Sequence, residues 1–345
     1  MILLIGCLAS KKVTDIEVVS PDVGDTLALC PGIVQPLEVE LRLKNGRTKH
    51  TRSSGRDGVA WREIELVLDG QTSDGTGVTL YQDPRKSQGK ELDLIVRLAD
   101  RPELARRYSV VPRYDCDYVA DLRGGSGWTP SGAWDDLDGS DGAPASTDDD
   151  GRAQGAGQDG TAGGSGRNGE HGNDGGAGGH ARVFVYAHED LVQVKVEGEV
   201  LVDGEWRSKT RRYLLDPEGG TLRIDVRGGG GGHGEDGQDG GNGGLGGEGD
   251  PMGRHGSGGH GGHGGDGGDG GPGGDAVLFV DPGVTSYLDK LVVDHGGGPG
   301  GEGGRSGQGG AGDVPGQTGA GGRRGRDGEP GPLPVTHEDH LKKLF

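Results

Sequence analysis

Apolar residues in the first third of the chain come in short alternating bursts. VTDIEVV, LEVELRL and ELDLIVRL alternate apolar with polar positions, while WREIELVL, GVTLYQ and RRYSVV are enriched in β-branched or aromatic residues. Alternation of period two marks strands with one buried face. Turn signals such as Lys44-Asn45-Gly46 separate them. Six or seven short strands in roughly 110 residues predict an immunoglobulin-like β-sandwich over residues 11–122, with Trp61 as its core aromatic. No helical period of useful length interrupts them.

Beyond residue 122 the pattern changes. Residues 123–150 are mainly Gly, Ser, Asp, Pro and Ala and read as a linker, although Trp128 and Trp134 suggest that it packs back onto the body. Residues 151–335 are dominated by glycine at every third position: 157 to 178, 228 to 249, 253 to 274, and 298 to 331 with only Asp313 breaking the phase. Such a period is a repeat signature. Strand-like segments interrupt these runs: RVFVYA, LVQVKVEGEVLV and TLRIDV within 182–226, and AVLFV and KLVV within 276–294. The chain ends at 336–345 with Thr336 and Asp339 as a capping box, which predicts a short helix docked through Leu341, Leu344 and Phe345.

Three is the period of the polyproline II helix, which rises about 3.1 Å per residue. Glycine along one edge lets a second such helix approach closely. Two assemblies use this: a collagen triple helix of three chains, and a polyglycine II bundle folded from one chain. Proline is sparse beside these glycines, and stretches such as GGHGGHGGDGGDGG carry a second glycine edge. Both features favour the bundle, giving a mainly β chain in which a sandwich precedes a polyglycine II bundle with strand inserts. A monomer is expected, with a homotrimeric stalk and a disordered glycine tract as the alternatives.

Composition narrows the function. Apolar residues are 29% of the 345, and 80 residues are glycine. One conventional core for the whole chain is therefore excluded. The formal net charge of −19 argues against nucleic acid as a partner. Of three cysteines, Cys7 ends the sequence Leu4-Ile5-Gly6-Cys7, the form of a bacterial lipobox, although no basic residue precedes its short apolar run. A chance cysteine in a short apolar N-terminus is the alternative. If Cys7 carries lipid, Cys30 and Cys116 remain as a pair. A disulfide between them would contribute about 3–4 kcal/mol, and two buried free thiols are the other reading.

The candidates for chemistry are weak. Gly229 to Gly234 match GxGxxG after a strand, yet glycine at every third position denies the helix that a dinucleotide site requires. His255, His260, His263, Asp266 and Asp269 resemble metal ligands, but successive triplets on a threefold helix stand about 9 Å apart, so one run cannot close around an ion. The pairs Asp135-Asp136 and Asp148-Asp149-Asp150 lie in sequence unsuited to pKa tuning by burial. No catalytic, cofactor or metal residue is assigned.

The layout as a whole resembles that of glycine-rich, collagen-like lipoproteins of bacteria. The resemblance rests on the LIGC start, PRYDCDYVADLRG, the GGxGGx runs, and DAVLFVDPGVTSYLDKLVV between them. It implies a lipid-anchored, surface-exposed protein of the outer membrane with a structural, scaffold or adhesive role, residues 1–10 holding the signal remnant and anchor. The partner would be an unidentified surface or matrix component. Folded polyglycine II bundles also occur in some insect antifreeze proteins and phage tail-tip adhesins, but an ice-binding face wants Thr or small apolar side chains, and these runs carry Asp, His, Arg and Glu.

Overall fold

A computed structural model describes residues 13–18, 26–51, 59–69, 71–73, 77–81, 83–132, 134, 136–338 and 341. Cys7, Asp135, Asp339, Leu344 and Phe345 lie outside the described residues. The fold is mainly β.

The N-terminal unit begins with β1 (Val13–Val18) and β2 (Thr26–Leu29). β3 (Val34–Pro36), β4 (Val39–Leu43), β5 (Thr48–His50), β6 (Ile64–Leu68), β7 (Gln71–Ser73), β8 (Gly77–Thr79), β9 (Leu92–Leu98) and β10 (Arg101–Pro112) complete it. Hydrogen bonding groups them as β1-β4-β5, β2-β10-β9-β6-β7 and β3-β8. The alternation seen in sequence sets the buried face: Leu92, Leu94, Val96 and Leu98 all point into one core with Ile16, Val39, Leu41 and Leu66. The Tyr108 hydroxyl accepts the N–H of Val18 at 2.8 Å and so ties the first two sheets together. Trp61 does not fill this core. It stands half-buried in a single 3-10 turn at the margin, because aliphatic side chains already close the space between the sheets.

β11 (Asp117–Asp121) belongs to a second unit, so the first unit ends earlier than residue 122. The second unit adds β12 (His180–His188), β13 (Leu191–Val202), β14 (Glu205–Leu215), β15 (Thr221–Asp225), β16 (Ala276–Val280), β17 (Leu291–Asp294) and β18 (Val335–His337). Its two sheets, β11-β15-β17 and β14-β13-β12-β16-β18, share one apolar core that includes Tyr118, Leu222, Ile224, Val183, Val194 and Leu278. β11, β15 and β17 are mutually parallel, as are β12, β16 and β18. Thr336 pairs with Phe279 in β18 and does not start a helix. Leu341 is buried against Phe184 and Tyr186.

Each of these six parallel strands is continuous with one glycine run. We number the runs 1 (124–145), 2 (157–179), 3 (227–248), 4 (253–274), 5 (295–313) and 6 (316–331). Runs 1, 3 and 5 leave β11, β15 and β17; runs 2, 4 and 6 lead into β12, β16 and β18. Runs 1, 3 and 5 are bonded side by side in one layer, and runs 2, 4 and 6 in another, each layer internally parallel. Antiparallel bonds link run 1 to 2, 2 to 3, 3 to 4, 4 to 5 and 5 to 6 across the layers. The segment read as a linker is thus run 1: Gly124, Gly127, Gly139 and Gly142 donate to carbonyls of run 3.

Register passes unbroken from strand to run. Thr221 of β15 meets Asp117 of β11 at a separation of 104 residues, and Thr129 of run 1 meets His233 of run 3 at the same separation. His180 meets Asp275 at 95, and so does Asp174 meet Asp269. The apolar core of the second unit therefore aligns the glycines.

Close approach makes glycine obligatory where neighbouring runs touch, both within a layer and across the layers. A methyl at Gly265 would overlap the carbonyl of Glu170, and one at Gly264 the carbonyl of Gly304. At Gly125 a methyl would meet open space. We expect Gly265→Ala to cost at least about 1–3 kcal/mol, as overpacking of a filled core does. Gly125→Ala should leave chemical denaturation almost unchanged.

Candidate functional site

The triplet 264–266 shows how the runs satisfy their backbone. Gly264 N–H donates to Ala320 of run 6 at 2.9 Å, and Gly265 N–H to Glu235 of run 3 at 2.8 Å. The third donor, on Asp266, points outward. It is taken by Nδ1 of His171 on run 2, 2.9 Å away. An N–H left without acceptor would be costly, so outward side chains serve as acceptors for the neighbouring run.

This pattern repeats across both faces. On one face, His233, Asp236, Asp239 and Asn242 accept from Glu302, Arg305, Gln308 and Ala311 at 2.6–2.9 Å. On the other, His260, His263, Asp266 and Asp269 accept from Gln317, Ala320, Arg323 and Arg326 at 2.7–2.9 Å. Four of the five residues resembling metal ligands are thus spread along run 4, each occupied by a separate N–H. Among the described residues no three His, Cys, Asp or Glu side chains converge on a point suited to a metal ion. His255 likewise accepts from Gly246 N–H at 3.0 Å. The GxGxxG stretch lies in run 3, where Gly229 and Gly232 donate to run 2, Gly231 and Gly234 to run 5, and His233 to Thr129 of run 1.

One place breaks the glycine rule. Glu235 and Gln238 occupy positions of run 3 where Gly232 and Gly241 touch run 1. Their side chains stand in for the missing backbone of run 1. The buried carboxylate of Glu235 accepts from the N–H of Gly132 and, at 3.1 Å, from that of Glu170. Gln238 Oε1 accepts from Arg167 N–H at 3.2 Å. Trp128 and Trp134 stay 59% and 44% exposed, so they do not anchor the segment; the Arg167 guanidinium stacks over Trp134 at 5.4 Å.

Where strands become runs, Asp121, Asp225 and Asp294 stand in lateral register. Arg227 pairs with Asp225 at 2.7 Å and with Asp294 at 3.3 Å, and Arg123 pairs with Asp121 at 2.9 Å. Burial alone would raise the Asp225 pKa, but hydrogen bonds from Arg227 and the arginine charges outweigh it and hold the carboxyl below its ordinary value. Arg326, through side chain and backbone, holds Asp269 down in the same way.

Cys30 and Cys116 form a disulfide with Cα atoms 6.2 Å apart. It joins the two units, since Cys116 lies in the second core and Cys30 packs against it. Comparison with protein-family models, curated proteins and solved structures finds no match.

Sequence reading missed the capping role of Thr129, Asp138 and Asp141 in run 1. The signal was present in glycines 124, 127, 139 and 142, which keep the triplet phase.

Two outcomes follow. Asp239→Ala should cost about 1 kcal/mol, read by denaturant unfolding, whereas Asp239→Asn keeps the acceptor and should cost little. Carboxylates held below their ordinary pKa contribute stability at neutral pH. The unfolded chain binds their protons first, so this stability is lost as pH falls below about 4 and through the folded values. Melting temperature should fall over that window, and Asp225→Asn should flatten the slope.

Proposed function

We propose that this chain is a non-catalytic scaffold or adhesion protein of the bacterial cell envelope. In this reading the six runs are polyglycine II helices packed as a two-layer bundle. The observation that carries it is the lateral hydrogen bonding at every third residue from run 2 to 4, 3 to 5 and 4 to 6, each in one constant register. Each run extends about 3.1 Å per residue, and its fixed side-chain rows make two flat polar faces for contact. Anchoring through lipid on Cys7 at the outer membrane, with the bundle exposed outside, completes the proposal and rests on the LIGC sequence. No nucleic-acid role is proposed for so acidic a chain.

The N-terminal unit is read as an immunoglobulin-like sandwich. The order β10-β9-β6 supports this, being that of strands G, F and C. The second sheet departs from the pattern, since β4 takes its hairpin neighbour β5 as partner.

A collagen-like trimer would need the glycine N–H groups for other chains, and intrachain carbonyls already take them. That favours the monomer. Among the described residues every carboxylate with a shifted pKa moves down, held by arginine or backbone donors. That direction suits a permanently charged surface and not a general acid.

The test is adherence of beads coated with the full chain to envelope and matrix fractions. Charge reversal of the outward Arg254, Arg305 and Arg323 to Glu should cut adherence about tenfold or more, equivalent to about 1.4 kcal/mol, without moving the melting temperature. Unchanged adherence would remove the faces from consideration. A threefold solution mass would favour the stalk.

A further inference from the structure

One surface sets apolar and polar side chains in parallel lines. Alternation along β12, β13 and β14 sends Val183, Val194, Val200 and Tyr213 into the core. It turns His180, Glu199, Leu201, Trp206 and Ser208 to the opposite face. This outer face continues into that of runs 2 and 4, because His180 meets Asp275 at the separation of 95 that also joins Asp174 to Asp269.

Register lays out the lines. Ser208 lies opposite Glu199, and Glu199 opposite His180, whose Nδ1 is 2.7 Å from Asp275. These residues make a polar line across neighbouring segments of the chain. Leu201 lies opposite Trp206 and two residues, about 7 Å, beyond Glu199 towards the bundle. β13 is antiparallel to β12. On run 2 the same level therefore falls near Ala177, three residues or about 9 Å beyond His180. Gly178 donates its N–H to Pro272 of run 4 at 2.9 Å, which brings Pro272 beside Ala177. Trp206, Leu201, Ala177 and Pro272 thus form an apolar line beside the polar one. Asp174, Asp269 and Arg326 border its far side, one triplet further out.

The apolar line is open. Trp206 is 49% and Leu201 36% exposed, and Pro272 is exposed with them. The indole leans on the His180 ring, with centroids 4.8 Å apart, so its position is set while much of its surface stays free. Asn168, His171 and Asp174 each accept an N–H of run 4 in the rows further out. Ala177 has no acceptor to offer and Pro272 no N–H to place, so this row is left low and without a polar side chain. Of the bordering carboxylates, Glu199 meets Ser208, Asp275 meets His180 and Asp174 meets a backbone N–H. Among the described residues these three have no lysine or arginine partner; Asp269 has Arg326.

We propose that this surface binds an extended neutral polysaccharide, laid across the runs with ring faces on the apolar line and hydroxyls towards the polar ones. A pyranose carries C–H groups on its faces and hydroxyls round its rim, which matches an apolar strip between polar rows. Exposed strips of this kind mark interaction sites. The carboxylates accept from sugar hydroxyls and repel an acidic polymer. An open strip across four segments suits a polymer, whereas a small molecule wants an enclosing pocket. The inference rests on the adhesive reading and names its partner.

The experiment is calorimetric titration of the full chain with cellohexaose and chitohexaose, and with hexagalacturonate as an acidic oligomer of equal length. At least one neutral hexasaccharide should bind about tenfold or more tightly than the acidic one. Trp206→Ala removes the ring, and Ala177→His fills the low row with a side chain that position 171 already carries in the same setting. Each should weaken binding about tenfold with the melting temperature preserved. Binding by neither neutral oligomer, equal binding by hexagalacturonate, or a variant that binds like the parent would overturn the inference. If coated beads still adhere to envelope or matrix fractions in that event, this inference alone falls; if they do not, the adhesive reading falls with it.

Discussion

The lateral N–H to carbonyl bond between glycine runs is the constraint on which the rest depends. A polypeptide with almost no side chains gains little from burying apolar surface. It can hold a shape only if its backbone donors are satisfied by neighbours. Runs 3 and 4, which touch the most neighbours, carry glycine in two phases of the triplet. The edge runs tolerate side chains in one of those phases, as Thr161, Arg167 and Asn173 do in run 2.

Hydrogen bonds of this kind do not choose their own register, because a slip of three residues restores every bond. The second two-sheet unit supplies the choice. Its side chains pack in one way only, its strands lead directly into the runs, and the separations of 104 and 95 residues persist across the junction. The Asp-Arg ladder at that junction holds the layer of runs 1, 3 and 5 at its root. Glu235 shows the same economy where glycine is absent: its carboxylate replaces the carbonyls that run 1 no longer brings close.

Much of this was legible in the chain. Alternation located β1, β4 and β9, β-branched and aromatic enrichment located β6, and the triplet phase located runs 2 to 6. What escaped had physical reasons. β14 is largely exposed, so Trp206 to Arg211 carry no apolar alternation. β11 looked like the close of the first unit because its partner, β15, lies a hundred residues further along. Run 1 was hidden by Pro130 and the two tryptophans, which break its composition but not its phase. The outward His and Asp residues looked like free functional groups; only the lateral neighbour reveals that each carries a backbone donor. The apolar line through Trp206 could not be seen at all, since it is assembled from four separate segments.

Amide hydrogen exchange at Gly259, Gly262, Gly265 and Gly268 tests the central claim most directly. These N–H groups donate to run 3 in the middle of the stack. If the layers are held as described, they exchange as slowly as the amides of β12 and β13, and they lose protection together with them when the base unfolds. Exchange at the rate of an unstructured chain, with β12 and β13 still protected, would contradict the account.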